Sequence, residues 1–394
     1  MNDNNRLKIL KESFQENFGD TNNTKIVRAP GRVNLIGEHT DYNEGFVMPV
    51  AIDRDILIIG RKRNDKKIKL YSVDFNEFKE FDLNNLVENF DKPRIKHWSN
   101  YPAGVLYFLK KEGYDINGIE CVISGNIPVG ASLSSSAAFE VVTAFTAKLL
   151  YSIQISDIDL IKLAQKSENE YVGVKCGIMD QFISCVGKKG TALFLDCRNL
   201  QYEFVPLNIE GYKIVIFDTK KKRELVESAY NKRRNECEEG VEILGRFIPG
   251  IKALRDVTSQ DFLKYKKYLS SDTAKRVEHV VFENERVERV KKLLAISDLT
   301  SLGKELNNSH ISLRDLYEVS CFELDLLVET TLSMEGVLGS RMTGAGFGGC
   351  AISLIKEGSM DKVCNYTKEV YKSKTGIDPD IYICNSSDGV GEIK

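Results

Sequence analysis

The spacing of apolar and polar residues along the chain predicts a mixture of helices and strands. Helical spacing covers 6–18, 101–111, 137–151, 157–171, 360–372 and most of 222–334. Alternating or β-branched runs predict strands over 47–61, 68–73, 118–124, 191–196, 202–206, 212–218, 350–354 and 381–384. Ser156 is placed to cap the helix that follows it.

The order of these elements indicates an α+β fold. Strands and helices mix irregularly, whereas a doubly wound parallel sheet would alternate them. A chain of 394 residues is too long for one hydrophobic core. We therefore expect two domains that meet near residue 200, an N-terminal one over 1–200 and a C-terminal one over 201–394.

Composition restricts the class of protein. With 42% hydrophobic and 28% charged residues, the chain is typical of a soluble globular protein. Its formal net charge of −2 argues against nucleic acid or a membrane surface as a partner, and no apolar run is long enough for a membrane span. The nine cysteines are odd in number and form no Cys-x-x-Cys pair, which excludes an obvious disulfide framework or zinc motif. The polar first residues contain no apolar signal core, so we expect a cytoplasmic protein.

Residues 28–45, which read RAPGRVNLIGEHTDYNEG, concentrate charge and glycine in a stretch that we interpret as turns. Loops of this composition usually hold a polar ligand against a rigid scaffold. Glu38 and Asp41 are spaced to accept hydrogen bonds from a polyhydroxylated ligand. Arg32 adds a charge that a protein cannot neutralise.

Residues 125–138, which read GNIPVGASLSSSAA, connect a predicted strand to a long helix through small residues. Amide groups at a helix N-terminus bind anions, and the three serines add hydroxyl groups, one of which could ligate magnesium. An ordinary serine N-cap is the alternative, although a cap needs only one serine. The segment contains neither a Walker Gly-Lys-Ser/Thr sequence nor a dinucleotide-binding glycine pattern.

Two further segments carry polar or glycine-rich sequence in apolar surroundings. Asp180 lies within 176–182, which read CGIMDQF. A carboxylate buried among these apolar residues needs a charged or hydrogen-bonding partner, which is one interpretation of Asp180. The alternative is that Asp180 caps the helix that follows. The four glycines of residues 341–350, which read RMTGAGFGGC, indicate unusual backbone angles or a close approach of the backbone to another group. A simple glycine-rich hairpin is the alternative interpretation.

These segments together resemble known kinases. Residues 28–45 resemble the signature that opens the galactokinases. Residues 128–137 are similar to the phosphate loop of the GHMP kinases (galacto-, homoserine, mevalonate and phosphomevalonate kinases), with Ser132 where many members carry glycine. Residues 341–350 look like the third GHMP motif, which packs beneath the phosphate loop. The resemblance implies a two-lobed α+β fold with mixed sheets and the active site in the cleft between the lobes.

The resemblance also implies an activity and a set of site residues. The reaction is transfer of the γ-phosphoryl group of MgATP to the anomeric hydroxyl of D-galactose. The implied catalytic pair is Asp180 and Arg32. The implied sugar-binding residues are Glu38, His39, Thr40, Asp41, Gly177 and Tyr230. The implied ATP-binding residues are Trp98, Gly130, Ala131, Ser132, Leu133, Ser134, Ser135 and Ser136. Magnesium would be held by Ser136 and Glu168. Without the resemblance, Glu168 would pass as an exposed helical glutamate, Tyr230 as part of a charged helix and Trp98 as a packing residue.

Several alternatives remain open from the sequence. Asp180 either accepts the proton of the sugar hydroxyl as general base, kept ionised by Arg32, or acts only electrostatically. The substrate could be a related sugar, such as N-acetylgalactosamine or arabinose. A galactose sensor without catalysis is a different class, and a mevalonate-type kinase would need a more apolar acceptor pocket. We expect a monomer that uses galactose and MgATP.

Overall fold

The computed structural model describes residues 3–88, 97–128, 130–221 and 226–394, which form three sheets surrounded by helices. The strands are β1 (Lys25–Asn34), β2 (Phe46–Val47), β3 (Pro49–Lys62), β4 (Lys67–Ser72), β5 (Glu77–Asp82), β6 (Ile119–Gly125), β7 (Thr191–Asp196), β8 (Tyr202–Pro206), β9 (Tyr212–Asp218), β10 (Val337–Thr343), β11 (Cys350–Lys356), β12 (Asp380–Cys384) and β13 (Gly391–Glu392). They pair in the orders β13-β1-β3-β6-β4-β5, β10-β11-β9-β12 and β2-β7-β8. All pairs are antiparallel except β4 with β6.

Twelve α-helices accompany these strands in the described part of the chain. They are α1 (Asp3–Phe18), α2 (Leu83–Glu88), α3 (Asn100–Lys111), α4 (Ser135–Tyr151), α5 (Asp157–Lys166), α6 (Met179–Val186), α7 (Val226–Leu244), α8 (Ser259–Tyr265), α9 (Ser271–Ala295), α10 (Leu299–Asp315), α11 (Phe322–Leu332) and α12 (Met360–Thr375). A π-helical turn, Ser167–Val172, continues α5. The predicted α+β class is confirmed.

Helices cover both faces of the six-stranded sheet. On one face Leu10 and Phe14 of α1 pack against Leu57 and Ile59 of β3 in a small apolar cluster. The other face belongs to the main core, which includes α3, α4, α5 and α6. Burial of both faces explains why β3 is apolar over most of its length instead of alternating.

The structure corrects the interpretation of 28–45 as a run of turns. Its first part belongs to β1, which pairs with β3 from Lys25 to Asn34, with a change of register between Pro30 and Arg32. Proline and glycine made this segment resemble a turn. The irregularity accommodates them within the sheet, as bulges commonly do. Strands β5 and β10 were not predicted either.

Most other predicted elements are confirmed, including the strands at β7, β8 and β9 and the helix α12. Ser156 caps α5, since its hydroxyl accepts a hydrogen bond from the amide of Asp159 at 3.1 Å. The predicted strand 47–61 is divided at Met48 into β2 and β3. The predicted helical region 222–334 contains α7 to α11, and its residues 222–225 lie outside the described part of the chain.

The division near residue 200 stays a prediction. The four-stranded sheet lies wholly beyond this point, but β8 pairs back to β7 and β13 pairs with β1. All nine cysteines carry free thiols. Among the described residues, no helix combines the length and apolar character needed to cross a membrane.

Candidate active site

A cavity of about 470 Å³ brings together most of the residues singled out from the sequence. Those in its wall are Arg32, Glu38, His39, Asp41, Trp98, Gly130, Ser132, Leu133, Ser134, Ser135, Ser136, Glu168, Gly177, Asp180 and Tyr230. Its size suits a small organic ligand with phosphates. Residues separated by up to 198 positions in the chain therefore face one space.

The irregularity in β1 directs Arg32 toward the 125–138 loop. A Cβ on Gly31 would lie 2.6 Å from the carbonyl oxygen of Leu133, so only glycine permits this approach. The amide of Arg32 donates to that carbonyl at 3.1 Å, and its Nη1 donates to the carbonyl of Ser132 at 2.6 Å. Strand β1 and the loop are thus held together at the wall of the cavity.

Arg32 and Asp180 form a two-point ion pair. Nε of Arg32 donates to Oδ1 of Asp180 at 2.8 Å, and Nη2 donates to Oδ2 at 2.7 Å. This geometry fixes the orientation of the carboxylate as well as its distance. The Arg32 side chain is only 6% exposed, whereas that of Asp180 is 26% exposed. Asp180 is therefore the member of the pair that a ligand in the cavity can reach.

Ser134 precedes α4 at the N-cap position but does not act as an ordinary serine cap. Its side chain makes no capping bond to α4 and instead donates a hydrogen bond to Oδ2 of Asp180 at 2.5 Å. Gly130, Ser132 and Ser134 all have positive φ, at 80°, 60° and 59°. Such left-handed residues expose successive backbone amides, and they are costly for serine. An ordinary helix cap explains neither observation.

The turn after β1 places Glu38 and His39 in the cavity wall. Oε1 of Glu38 accepts hydrogen bonds from the Thr343 hydroxyl at 2.9 Å and from the Gly344 amide at 2.8 Å. Arg341 also approaches this oxygen, at 3.4 Å. One oxygen of Glu38 therefore joins the signature turn to the 341–350 segment.

His39 is a neutral ring in a cluster of tyrosines. Burial lowers the pKa of His39 to about 3. Its Nε2 lies 3.3 Å from the carbonyl of Ala345, which can only accept, so Nε2 carries the proton. Nδ1 then accepts from the Tyr42 hydroxyl at 2.8 Å, and Tyr42 is bonded in turn to Tyr317. The Tyr230 ring centroid lies 5.5 Å from that of His39.

The side chain of Asp41 packs directly against Gly177 in the cavity wall. A Cβ on Gly177 would come within 1.8 Å of Oδ2 of Asp41. Burial and the nearby charge of Asp180 raise the pKa of Asp41 to about 7. A ligand group that donates hydrogen bonds to Asp41 would stabilise its ionised carboxylate and so lower this pKa.

The far end of the cavity is aromatic. The Trp98 ring is stacked with Phe139 at 6.1 Å and with Phe75 at 6.2 Å between centroids. Its Nε1 donates to Glu77 at 2.7 Å, and His97 lies 2.9 Å from the same oxygen. Flat apolar rings of this kind suit a nucleobase.

Near the first turn of α4, Ser136 and Glu168 offer oxygen ligands. Glu168 is buried on the π-helical turn and accepts a hydrogen bond from Ser136, while burial raises the pKa of its carboxyl. Glu140 lies beside it, and burial together with Glu168 raises the pKa of Glu140 as well. Among the described residues, neither carboxyl group forms an ion pair with lysine or arginine. The chemistry of this donor set therefore fits a hard divalent cation.

The 341–350 segment packs against the serine loop, as its resemblance implied. Gly344 has a φ of 83°, and a Cβ there would lie 2.6 Å from Cβ of Ser132. Only glycine allows the two segments to touch at this point.

Two predicted residues lie outside the cavity wall. The Thr40 hydroxyl is buried and donates within its own turn, toward the carbonyls of Gly37 and Phe46. Ala131 is buried in the core below the loop. Both residues shape the two segments, and neither is placed to touch a ligand.

Other residues at the site were missed from the sequence. Glu140 and Gln181 contact Glu168 from α4 and α6, and Tyr42 and Tyr317 support His39. The one sequence feature that could have indicated Glu140 is its charge within the mainly apolar stretch 137–147. Tyr317 lies far from every segment that was singled out, so no local pattern indicated it.

Comparison with known proteins agrees with this geometry. Family models match at 100–188 (GHMP kinases N terminal domain) and 290–373 (GHMP kinases C terminal). A mevalonate kinase of Methanococcus jannaschii, 21% identical, shares the fold with a TM-score of 0.63 over 92% of this chain and 98% of that one. The fold is thus that of the GHMP kinases.

Further matches identify one family among the GHMP kinases. The galactokinase galactose-binding signature matches residues 12–62. A galactokinase of Fusobacterium nucleatum is 44% identical over 98% of this chain and 100% of its own length. A crystal structure of Lactococcus lactis galactokinase complexed with galactose superposes with a TM-score of 0.94 at 39% identity, covering 98% of this chain and 100% of that one. The chain belongs to the galactokinase family.

Proposed function

We propose that this protein phosphorylates D-galactose at its anomeric hydroxyl with ATP, giving galactose 1-phosphate and ADP. One observation carries the proposal: the Arg32–Asp180 pair, the serine loop and the 28–45 signature meet in one cavity. Full-length similarity to galactokinases and the galactose in the Lactococcus lactis structure support the choice of sugar.

We assign the sugar to the end of the cavity lined by Glu38, His39, Asp41, Gly177 and Tyr230. Carboxylate oxygens accept hydrogen bonds from sugar hydroxyls, and the tyrosine ring offers an apolar surface. A site that pairs hydroxyls in fixed positions penalises sugars that misplace them. Thr40 supports this site by fixing the turn between Gly37 and Phe46.

We assign ATP to the serine loop and the aromatic end. Loop amides at the N-terminus of α4 would bind the phosphates there, because the dipole of this helix favours negative charge. Trp98 contributes a flat surface for the adenine ring. Ala131 and Leu133 hold the loop to the core, and the hydroxyls of Ser132, Ser134 and Ser135 face the cavity as further polar groups.

We infer that Ser136 and Glu168 would hold Mg²⁺. When bound, the ion would neutralise charge on the phosphates during transfer. Glu168 is already oriented by its hydrogen bonds to Ser136 and Gln181.

Asp180 is positioned for proton transfer. The O–H bond of the anomeric hydroxyl breaks, its proton passes to the Asp180 carboxylate, and the sugar oxygen forms the new bond to the γ-phosphorus as ADP leaves. Arg32 balances the charge of Asp180 and keeps it aimed into the cavity. In the alternative role, Asp180 stabilises charge electrostatically without taking the proton.

The test is to incubate the purified protein with MgATP and a panel of sugars, and to locate the new phosphate by NMR. We expect D-galactose to be used with the highest kcat/KM and to be phosphorylated at the anomeric position. Preference for N-acetylgalactosamine or arabinose would identify a related sugar kinase. Galactose binding without ADP release would identify a sensor, and turnover of mevalonate would overturn the sugar assignment.

We also propose a cytoplasmic monomer. All nine cysteines carry free thiols, which supports a reducing compartment. Light scattering of the purified protein tests the monomer directly.

A further inference from the structure

Two buried carboxyl groups meet beside the serine loop and share one amide. Nε2 of Gln181 donates to Oε2 of Glu168 at 2.6 Å and to Oε2 of Glu140 at 3.1 Å. An amide nitrogen has two hydrogens, and these two oxygens are its nearest acceptors, with the Cys176 sulfur further away at 3.7 Å. Gln181 and Glu140 are fully buried, and Glu168 is 6% exposed. The three residues come from α6, α4 and the π-helical turn, so the amide joins three separate elements.

This amide offsets part of the cost of burying two adjacent carboxyl groups. Two carboxyl groups that are desolvated and adjacent repel when both ionise, and no cationic side chain of the described residues pairs with either. Ser136 and the Cys176 thiol, at 3.4 Å, are further donors to Glu168, and both lie on its cavity side. Gln181 approaches from the protein interior and sets the direction from which the carboxylate faces the cavity.

We propose that Gln181 is the positioning residue for Glu168, holding its carboxylate toward the phosphate loop, where it would bind Mg²⁺. This inference rests on the proposed function. Asp180 and Gln181 are consecutive residues of α6. The same turn of α6 therefore carries Asp180, which would face the sugar hydroxyl, and Gln181, which positions the Glu168 carboxylate for the cation. Positions of this kind behind a metal ligand typically change metal affinity by about 10–100-fold when substituted.

The test compares Gln181→Met with wild type. Methionine keeps the length and volume of the side chain and removes both donors. We expect the Mg²⁺ concentration for half-maximal rate to rise about tenfold or more. Affinity for Mn²⁺, measured by EPR in the complex with galactose and a non-hydrolysable ATP analogue, should fall by a similar factor. Galactose affinity without nucleotide should stay within about twofold, because Gln181 does not line the cavity.

Gln165→Met is the matched control. It removes an amide on α5 that donates to the Cys176 carbonyl at 3.3 Å, close to the site but away from both carboxylates. This variant should keep wild-type metal dependence. If Gln181→Met does not fold, Gln181→Asn keeps an amide but withdraws it by one methylene, and it should show the same shift in metal affinity.

A second reference variant separates this inference from the proposed function. Glu168→Gln should weaken Mn²⁺ binding more than Gln181→Met does. If Glu168→Gln leaves metal affinity unchanged, the cation assignment fails and the inference with it. If Glu168→Gln weakens metal binding while the Gln181 variants match Gln165→Met, the cation site stands and the role of Gln181 is wrong.

Discussion

Asp41 occupies the space that a side chain at Gly177 would need, since a Cβ there would lie 1.8 Å from its Oδ2. Gly177→Ala should therefore displace Asp41 and weaken galactose binding by about tenfold or more, which calorimetric titration without nucleotide can measure. Gly358→Ala is the control, because a Cβ at that position meets nothing within 4 Å.

The Asp41→Ala background identifies the cause. If the clash is with the Asp41 side chain, Gly177→Ala should lose most of its cost in unfolding free energy once that side chain is removed. Equal costs in both backgrounds would mean that backbone strain at position 177, and not Asp41, requires glycine.

The raised pKa of Asp41, about 7, makes stability depend on pH in a defined direction. The folded protein holds a proton on Asp41 more tightly than the unfolded chain does, so the stability of the fold decreases as the pH rises from about 4 to about 7 and stays constant above that. Asp41→Asn should be more stable than wild type by about 4 kcal/mol at pH 8, and this difference should shrink as the pH falls from 7 toward 4. Urea unfolding of the ligand-free protein across this range measures it. A difference that does not change with pH would show that Asp41 has an ordinary pKa.

Asp180→Asn separates the two roles left open for this residue. Asparagine keeps the shape of the side chain but cannot take the proton. If Asp180 is the base, kcat should fall by about 10²–10⁴-fold while galactose affinity stays within about tenfold. Rapid-quench measurement of a single turnover gives the rate of the chemical step. Retention of more than about a tenth of the wild-type rate would leave Asp180 with the electrostatic role alone.

Ser134 should matter for turnover and little for stability, because it donates to Asp180 and does not cap α4. Ser134→Ala should change the unfolding free energy by less than about 0.5 kcal/mol and lower kcat about tenfold, the cost of one hydrogen bond to a charged group. Ser156→Ala is the converse control: it removes a true cap and should cost about 1 kcal/mol without changing kcat. A similar loss of stability in both variants would return Ser134 to an ordinary capping role.

The motifs of this site could be found from sequence because each is a short, contiguous segment with unusual composition. Their arrangement could not. Strand β1 was missed because its pairing partners in β3 lie 15–35 positions further along the chain, while Pro30 and Gly31 locally resemble a turn. Gln181 is hidden for a similar reason, since its partner Glu140 lies 41 positions earlier. The inward orientation of Thr40 depends on carbonyls on both sides of its turn, and residue type alone does not indicate it.

The pairing of β13 with β1 has a consequence for how the protein is made. Lys25 and Glu392 form an ion pair at 2.8 Å although they lie 367 positions apart, and β1 is the strand that carries Arg32. At usual rates of translation, the partner strand emerges about 20–70 s after β1. Until then one edge of β1 has unpaired backbone groups, so the strand that carries Arg32 is among the last parts of the nascent chain to be completed.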